Sequence, residues 1–370
     1  MFEHIQPGPP DPMFNLKRDA DNDHSPEKVD LGVGIYRNES GSYQELEVVR
    51  EAKKRLEDQD LGHDYGPTTG DAEFLKFAAG VMFSEDCDAL RSERISSVQT
   101  ISGTGANALG ALLLAKTMQP KPKVYIGIPT WGNHLDIFQN VDMETITYSY
   151  LDSTRHEVNF SGLLSAVRTA PRGSIFVLQG CCHNPSGVDL SVQQWQELAS
   201  EMREHGQLPF FDTAYQGLGD GFDEDAAGVR IFVEAGIEML VCQSFSKNFA
   251  LYAYGSRLVK IVLSNSDLRM AWAAELDGMR QRLKRNRQAL YHQLAHMLKT
   301  PGDWSHLNRE KGLFSCLALS PSQCETLVSK YHVHLPGSGR INVAGLSEDN
   351  VARAAQAIDE VVRLPGKQKL

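Results

Sequence analysis

Between about Ser97 and Lys247, short apolar runs alternate with amphipathic stretches. The runs fall at 98–101, 124–128, 175–178, 209–211 and 239–241, each short enough to be a strand buried on both faces. Helical periodicity falls at about 105–117, 160–169, 191–205 and 224–235. Strands alternating with helices in this way predict an α/β architecture around a mostly parallel sheet. Ligands of such sheets bind beyond the carboxyl ends of the strands. The residues that follow each run are therefore where chemistry is expected.

On either side of this block the pattern is less regular. Residues 1 to about 28 are rich in Pro and Asp and read as an extended arm with a short helix near 13–18. Residues 30–36 read as a short strand interrupted by Gly32 and Gly34, which mark either a bulge or a close backbone approach. A charged helix is expected at 47–56, a turn-rich loop at 65–70, and a helix capped by Asp71 running through Gly80. Later, 267–298 reads as one long amphipathic helix joining two domains, 313–317 and 341–343 as strands, and 347–361 as a closing helix.

Composition narrows the class. A chain of 370 residues, 41% hydrophobic and 23% charged, is ordinary for a soluble globular protein and long enough for about two domains. A formal net charge of −10 disfavours nucleic acid and anionic membrane surfaces as main partners. The histidines show no metal-ligand spacing, so no metal is expected. The six cysteines form no Cys-x-x-Cys pair and read as reduced thiols of a cytosolic protein. No signal peptide or bilayer-spanning stretch is seen, which makes the expected location cytoplasmic.

The strand ends supply the candidate chemistry. After the first run comes Ser102-Gly103-Thr104-Gly105 and then a helix, an arrangement whose free backbone N–H groups suit an anion. After the second comes Pro129-Thr130-Trp131-Gly132-Asn133-His134, where the tryptophan either packs or stacks on a ring. After the third, Asn184-Pro185 is either a plain turn or a way to fix an amide in the cleft. After the fourth, Asp212 closes an apolar strand, a costly place for a carboxylate without a partner. After the fifth, Lys247 sits in Gln243-Ser244-Phe245-Ser246-Lys247-Asn248-Phe249. A desolvated lysine amine is a nucleophile that forms a Schiff base with an aldehyde, and pyridoxal phosphate is the usual aldehyde.

Taken together, these stretches resemble the class I aspartate and aromatic aminotransferases, the cytosolic aspartate type included. Leu31-Gly32-Val33-Gly34-Ile35-Tyr36-Arg37 and Gly337-Ser338-Gly339-Arg340-Ile341-Asn342-Val343 belong to the same set of matches, as does Phe210-Phe211-Asp212-Thr213-Ala214-Tyr215. The resemblance implies a fold-type I pyridoxal-phosphate transferase with a mostly parallel large domain and a smaller α+β domain. It implies an N-terminal arm and part of the small domain over 1–40, a large cofactor-binding domain over 41–275, and an interdomain helix with the rest of the small domain over 276–370.

The resemblance also implies roles. Lys247 would hold the cofactor and then carry the proton between substrate Cα and cofactor. Asp212 would keep the pyridine nitrogen protonated, with His134 behind it, and Trp131 would stack on the ring. Asn184 and Tyr215 would hydrogen-bond the ring's phenolate oxygen. Gly103, Thr104 and Ser244 would contact the phosphate, with Tyr65 reaching in from a partner subunit. Arg340 would take the substrate α-carboxylate, and Gly34, Trp131 and Asn184 would also border the substrate. The implied activity moves an amino group between an L-amino acid of the aspartate or glutamate type and a 2-oxo acid, in a homodimer with shared sites. The alternatives are an aromatic or neutral amino acid aminotransferase, or a catalytically impaired relative.

The chain departs from the family after Tyr252. There Ala253-Tyr254 leads directly to Gly255-Ser256-Arg257, which matches a later family segment, so a few dozen residues are absent. By the resemblance, the missing part holds a strand of the large sheet, an arginine for the cofactor phosphate, and the partner-chain arginine that meets a substrate's distal carboxylate. Arg257 is neither of these. A smaller departure is Asn107-Ala108, where the family usually has Leu-Arg.

Overall fold

The computed structural model describes residues 12–59, 66–251 and 256–364. Five strands form one parallel sheet in the order Thr145–Ser149, Val124–Ile128, Ile175–Gln179, Leu208–Thr213, Leu240–Gln243. Successive residues of a strand point to opposite faces, so an unbroken apolar run fills two cores at once. Phe176, Leu178 and Phe211 pack on one face with Trp195, Leu198 and Phe232. Val177 and Phe210 pack on the other with Ala111, Leu114 and Phe138.

Local signals set the helix ends. Val192–His205 starts from a capping box between Ser191 and Gln194 and stops at Gly206, whose φ of 64° is the left-handed cap that glycine adopts most readily. Asp71 caps Ala72–Phe83 by accepting from the Phe74 N–H. The charged helix is Glu47–Asp58, and the arm's helix runs Pro12–Asn22, longer than the sequence pattern indicates.

Several expectations are corrected. The run at 98–101 is not a strand; Val98 is 47% and Ile101 91% exposed. A strand needs a neighbour to pair with, and among the described residues the sheet ends at Leu240–Gln243. Of the expected strand at 30–36, only Val29–Asp30 is in a ladder, with Val333–His334. Beyond Leu31, whose N–H and carbonyl still pair with the backbone of His334 and Asn342, side chains take over: Asp30 Oδ1 accepts from the Gly32 N–H, and Asn342 Nδ2 donates to the carbonyls of Val33 and Ile35. The helical stretch at 224–235 is split into Phe222–Asp225 and Ala227–Glu234, with Asp225 turned back to accept from Gly217, Gly219 and Asp220. The long helix is Ser266–Tyr291, continued by a π-helical turn at His292–Met297.

The described chain divides into two compact units. The larger comprises 44–284 and 309–313 and holds the five-stranded sheet. The smaller comprises 12–43, 285–308 and 314–364. In it Phe314–Cys316 pairs antiparallel with Arg340–Asn342, and the helix Pro321–Tyr331 packs on Val351–Arg363. The six cysteines are free, and no helix among the described residues is long and apolar enough to cross a membrane.

Candidate functional site

Parallel register brings the strand ends of the larger unit side by side. Asp212, near the end of Leu208–Thr213, lies level with Gln179 on one neighbour and Cys242 on the other. Asp212 is 9% exposed, and its carboxylate meets His134 Nε2 at 2.9 Å. His134 is fully buried, and its Nδ1 lies 2.8 Å from Thr130 Oγ1. With Nε2–H donated to the carboxylate, Nδ1 accepts from the threonine hydroxyl, which fixes the ring's tautomer. Trp131 stands edge-on to this imidazole, 5.2 Å between ring centres.

Lys247 lies in the loop that leaves Leu240–Gln243. The Ser244 N–H donates to the Thr213 carbonyl at 3.0 Å, holding the loop's start to the neighbouring strand. Its far end closes through Ala250 N–H to Lys247 O and Leu251 N–H to Ser246 O. Phe249 is fully buried and stacks on Trp272 at 4.3 Å, while Asn248 donates to Gln216 O and accepts at its own carbonyl from Trp272. The half-buried Lys247 amine lies 5.9 Å from the centre of the Tyr215 ring. Loss of hydration pushes its pKa below the ordinary lysine value, against the opposing pull of the Asp212 charge.

Asn184 is tied to the same cluster by a residue that sequence reasoning missed. Gln179 Oε1 accepts from the Asn184 N–H at 2.8 Å, and Gln179 Nε2 donates to the Asn184 carbonyl at 2.9 Å and to Thr130 Oγ1 at 3.5 Å. The available signal was the one that revealed Asp212: a polar residue closing an apolar strand. Beneath Asn184, His183 stacks on Tyr150 at 4.0 Å, and burial lowers its pKa to about 3. Asp189 accepts from the Cys182 and His183 N–H groups, and burial raises its carboxyl to about 6.

Gly103 occupies the first turn of the helix Ser102–Thr117. A Cβ there would stand 3.0 Å from Ser244 Cβ, so Gly103 and Ser244 face each other across a tight notch where a larger residue would have to push Ser244 aside. Thr104 is exposed beside it. The first-turn N–H groups have no intrahelical acceptor, and with the two hydroxyls they form a donor set suited to a phosphate. Thr213 Oγ1, buried next to the Asp212 strand end, has no hydrogen-bond partner among the described residues. A buried acid, a desolvated amine, an aromatic edge and an anion notch on adjacent strand ends fit a ring-bearing aldehyde with a phosphate arm.

Gly34 and Arg340 belong to the smaller unit, and that unit brings the two together on one ring. The Arg340 guanidinium lies 4.6 Å from the Phe314 ring centre and donates to the Gly32 carbonyl at 2.7 Å. A Cβ on Gly34 would come 2.4 Å from Phe314 Cζ, so the close approach requires glycine here. Phe314 and Asn342, which shape this corner, were not singled out from the sequence. Tyr65 lies outside the described residues. Arg257 is exposed, in the helix Ser256–Ser264.

The profile of the family described as "Aminotransferase class I and II" matches residues 26–256 and 253–358, two stretches that meet just after Leu251. The mitochondrial aspartate aminotransferase of Dictyostelium discoideum is 35% identical over 402 aligned positions, covering 98% of this chain and 93% of that protein. An alignment longer than the chain's own 370 residues leaves several dozen positions of that relative without a counterpart. Aminotransferase tasG of Hapsidospora irregularis is 38% identical over only 364 positions, covering 98% of this chain and 96% of that protein, so it shares the shortened form. The solved aromatic-amino-acid aminotransferase of Burkholderia pseudomallei, covalently bound to pyridoxal phosphate, superposes with a TM-score of 0.95 at 32% identity, covering 98% of this chain and all of that one. This chain therefore belongs to the class I and II aminotransferase family, whose fold-type I enzymes use pyridoxal phosphate to move an amino group between an amino acid and a 2-oxo acid.

Proposed function

We propose that this chain is an L-amino acid:2-oxo acid aminotransferase that acts on aspartate or glutamate with a weaker preference over neutral amino acids than its full-length relatives have. The observation that carries the reading is Lys247: a half-buried amine with a lowered pKa, beside the Asp212–His134 pair at the ends of adjacent parallel strands. Pyridoxal phosphate, when bound, supplies an aldehyde for amines and a ring that accepts electrons. Lys247 would hold it, and its neutral amine, once free, would serve as the base that moves the substrate Cα proton. Asp212, held in place by His134, would keep a proton on the ring nitrogen. Trp131 would cover the ring's face, and Asn184 and Tyr215 would donate to its oxygen. Gly103, Thr104 and Ser244 receive the phosphate, with Tyr65 of a second copy as a further donor in a homodimer. Gly34 and Arg340 are assigned to the substrate, Arg340 to its α-carboxylate by the paired hydrogen bonds a guanidinium makes.

Specificity follows from what the shortened chain lacks. By family resemblance, the arginine for a substrate's distal carboxylate falls in the absent segment, so no cation from that position meets aspartate's second charge. Relatives with aspartate and with aromatic names are both among the matches. The cytoplasm is the location we assign. Single-turnover assays with aspartate and phenylalanine, run beside a full-length relative, test the specificity. The aspartate preference should fall by roughly 30-fold or more, the equivalent of about 2 kcal/mol for one lost charge-assisted pair. A full relative-like preference for aspartate would mean that another cation has taken the place of the missing one.

A further inference from the structure

The π-helical turn His292–Met297 lies in the smaller unit and presents two histidines to solvent. Leu294, between them in the chain, is fully buried, and the turn packs on the helix Val351–Arg363. Leu294 thus fixes the inward face of the turn, and His292 and His296 are exposed. Their ring centres are 5.6 Å apart, with the planes tilted by 46°. Tyr291 stands edge-on to His296 at 5.2 Å and braces it. Among the described residues neither imidazole makes a hydrogen bond or an ion pair, which leaves their nitrogens available to a ligand.

Two imidazoles side by side on one helical turn are a donor set for a transition-metal ion. Zinc binds imidazole nitrogen at about 2.0–2.1 Å, which sets the ring centres of two imidazoles on one ion about 4.6–5.3 Å apart for right-angle to tetrahedral geometry. The observed 5.6 Å is slightly more, a gap that rotation of exposed side chains closes. The stretch His292-Gln293-Leu294-Ala295-His296 has the spacing of the helical His-Glu-x-x-His zinc motif, with Gln293 where that motif has glutamate. Glutamine is no general base, so the pair is suited to holding an ion and not to hydrolysis with it. The π turn contributes as well: its wider winding rises less per residue than an α-helix and brings side chains four apart closer along the axis. With imidazole donors, the pair favours zinc, copper(II) or nickel(II) over calcium and magnesium, which take oxygen ligands.

We propose that His292 and His296 form a surface site for one divalent transition-metal ion of the zinc and copper(II) class, with water in its remaining positions. The site is independent of the aminotransferase reading. It revises the expectation, drawn from the sequence, that no metal binds.

The test uses the full chain with its cofactor, titrated with Zn²⁺ by calorimetry in a non-chelating buffer. Saturable binding is expected, at least tenfold weaker in His292→Gln and in His296→Gln, and unchanged in His24→Gln, an exposed histidine elsewhere in the smaller unit. A second measurement needs no variant. Modification by diethyl pyrocarbonate, read by peptide mapping, should slow at least tenfold at His292 and His296 when Zn²⁺ is present, and stay unchanged at His24. No saturable binding, unchanged affinity in either His292→Gln or His296→Gln, or protection of other histidines but not of these two would overturn the proposal.

Discussion

At Lys247 two effects oppose each other. Loss of hydration favours the neutral amine, the Asp212 charge favours the ammonium, and the first prevails. Unfolded, Lys247 keeps its proton up to the ordinary lysine value of about 10.5; folded, it releases the proton at lower pH. Between those two values the unfolded chain binds more protons, so the cofactor-free protein gains stability as pH rises through that window. Urea midpoints measured from about pH 7 to 10 should show this rise in the native chain and a flatter profile in Lys247→Met. Parallel slopes would show that the amine is not desolvated. Asp212→Asn keeps a partner for His134 but removes the charge. Half-transamination with amino acid should slow by about 10²–10³-fold, the scale of losing one preorganised electrostatic group. An unchanged rate would remove Asp212 from the chemistry.

At the scale of elements, the site is built from strand ends held in register, and Gln179 shows how. One amide joins the Asn184 backbone to Thr130, and through Thr130 to the His134–Asp212 pair. Gln179→Leu removes the acceptor for the Asn184 N–H and the donor for its carbonyl, and unmet buried groups cost about 1–3 kcal/mol each. Urea unfolding should register a loss of that order, and a loss below about 0.5 kcal/mol, the range of surface changes, would make the bridge incidental. Four of the five sheet strands were legible as apolar runs, because strands covered on both faces carry little else. Thr145–Ser149 was missed: an edge strand of mixed exposure, its Thr and Ser positions read as polar. The run at 98–101 was over-read, because an apolar run records what a segment prefers and not whether a pairing neighbour exists. Asp212 and Lys247 stood out as charges beside apolar strands. Gln179 closes an apolar strand in the same way but carries no charge to mark it, and Phe314 and Asn342 matter through contacts with residues distant in the chain.

For the molecule as a whole, the shortening after Tyr252 decides most. Among the described residues Leu240–Gln243 is an edge with a groove beside it, and by the family resemblance the absent segment would carry an arginine for the cofactor phosphate. Inserting a family-like segment between Tyr252 and Gly255 should raise both the thermal midpoint and the affinity for pyridoxal phosphate. Equal values in the two chains would mean that the shortened form, shared with tasG, has compensated fully. The central claim is that Lys247 is the lysine that holds the cofactor, and its most direct test is borohydride reduction of the protein with bound pyridoxal phosphate, followed by peptide mapping. The account predicts the pyridoxyl group on Lys247. A label on another lysine, with none at Lys247, would contradict it.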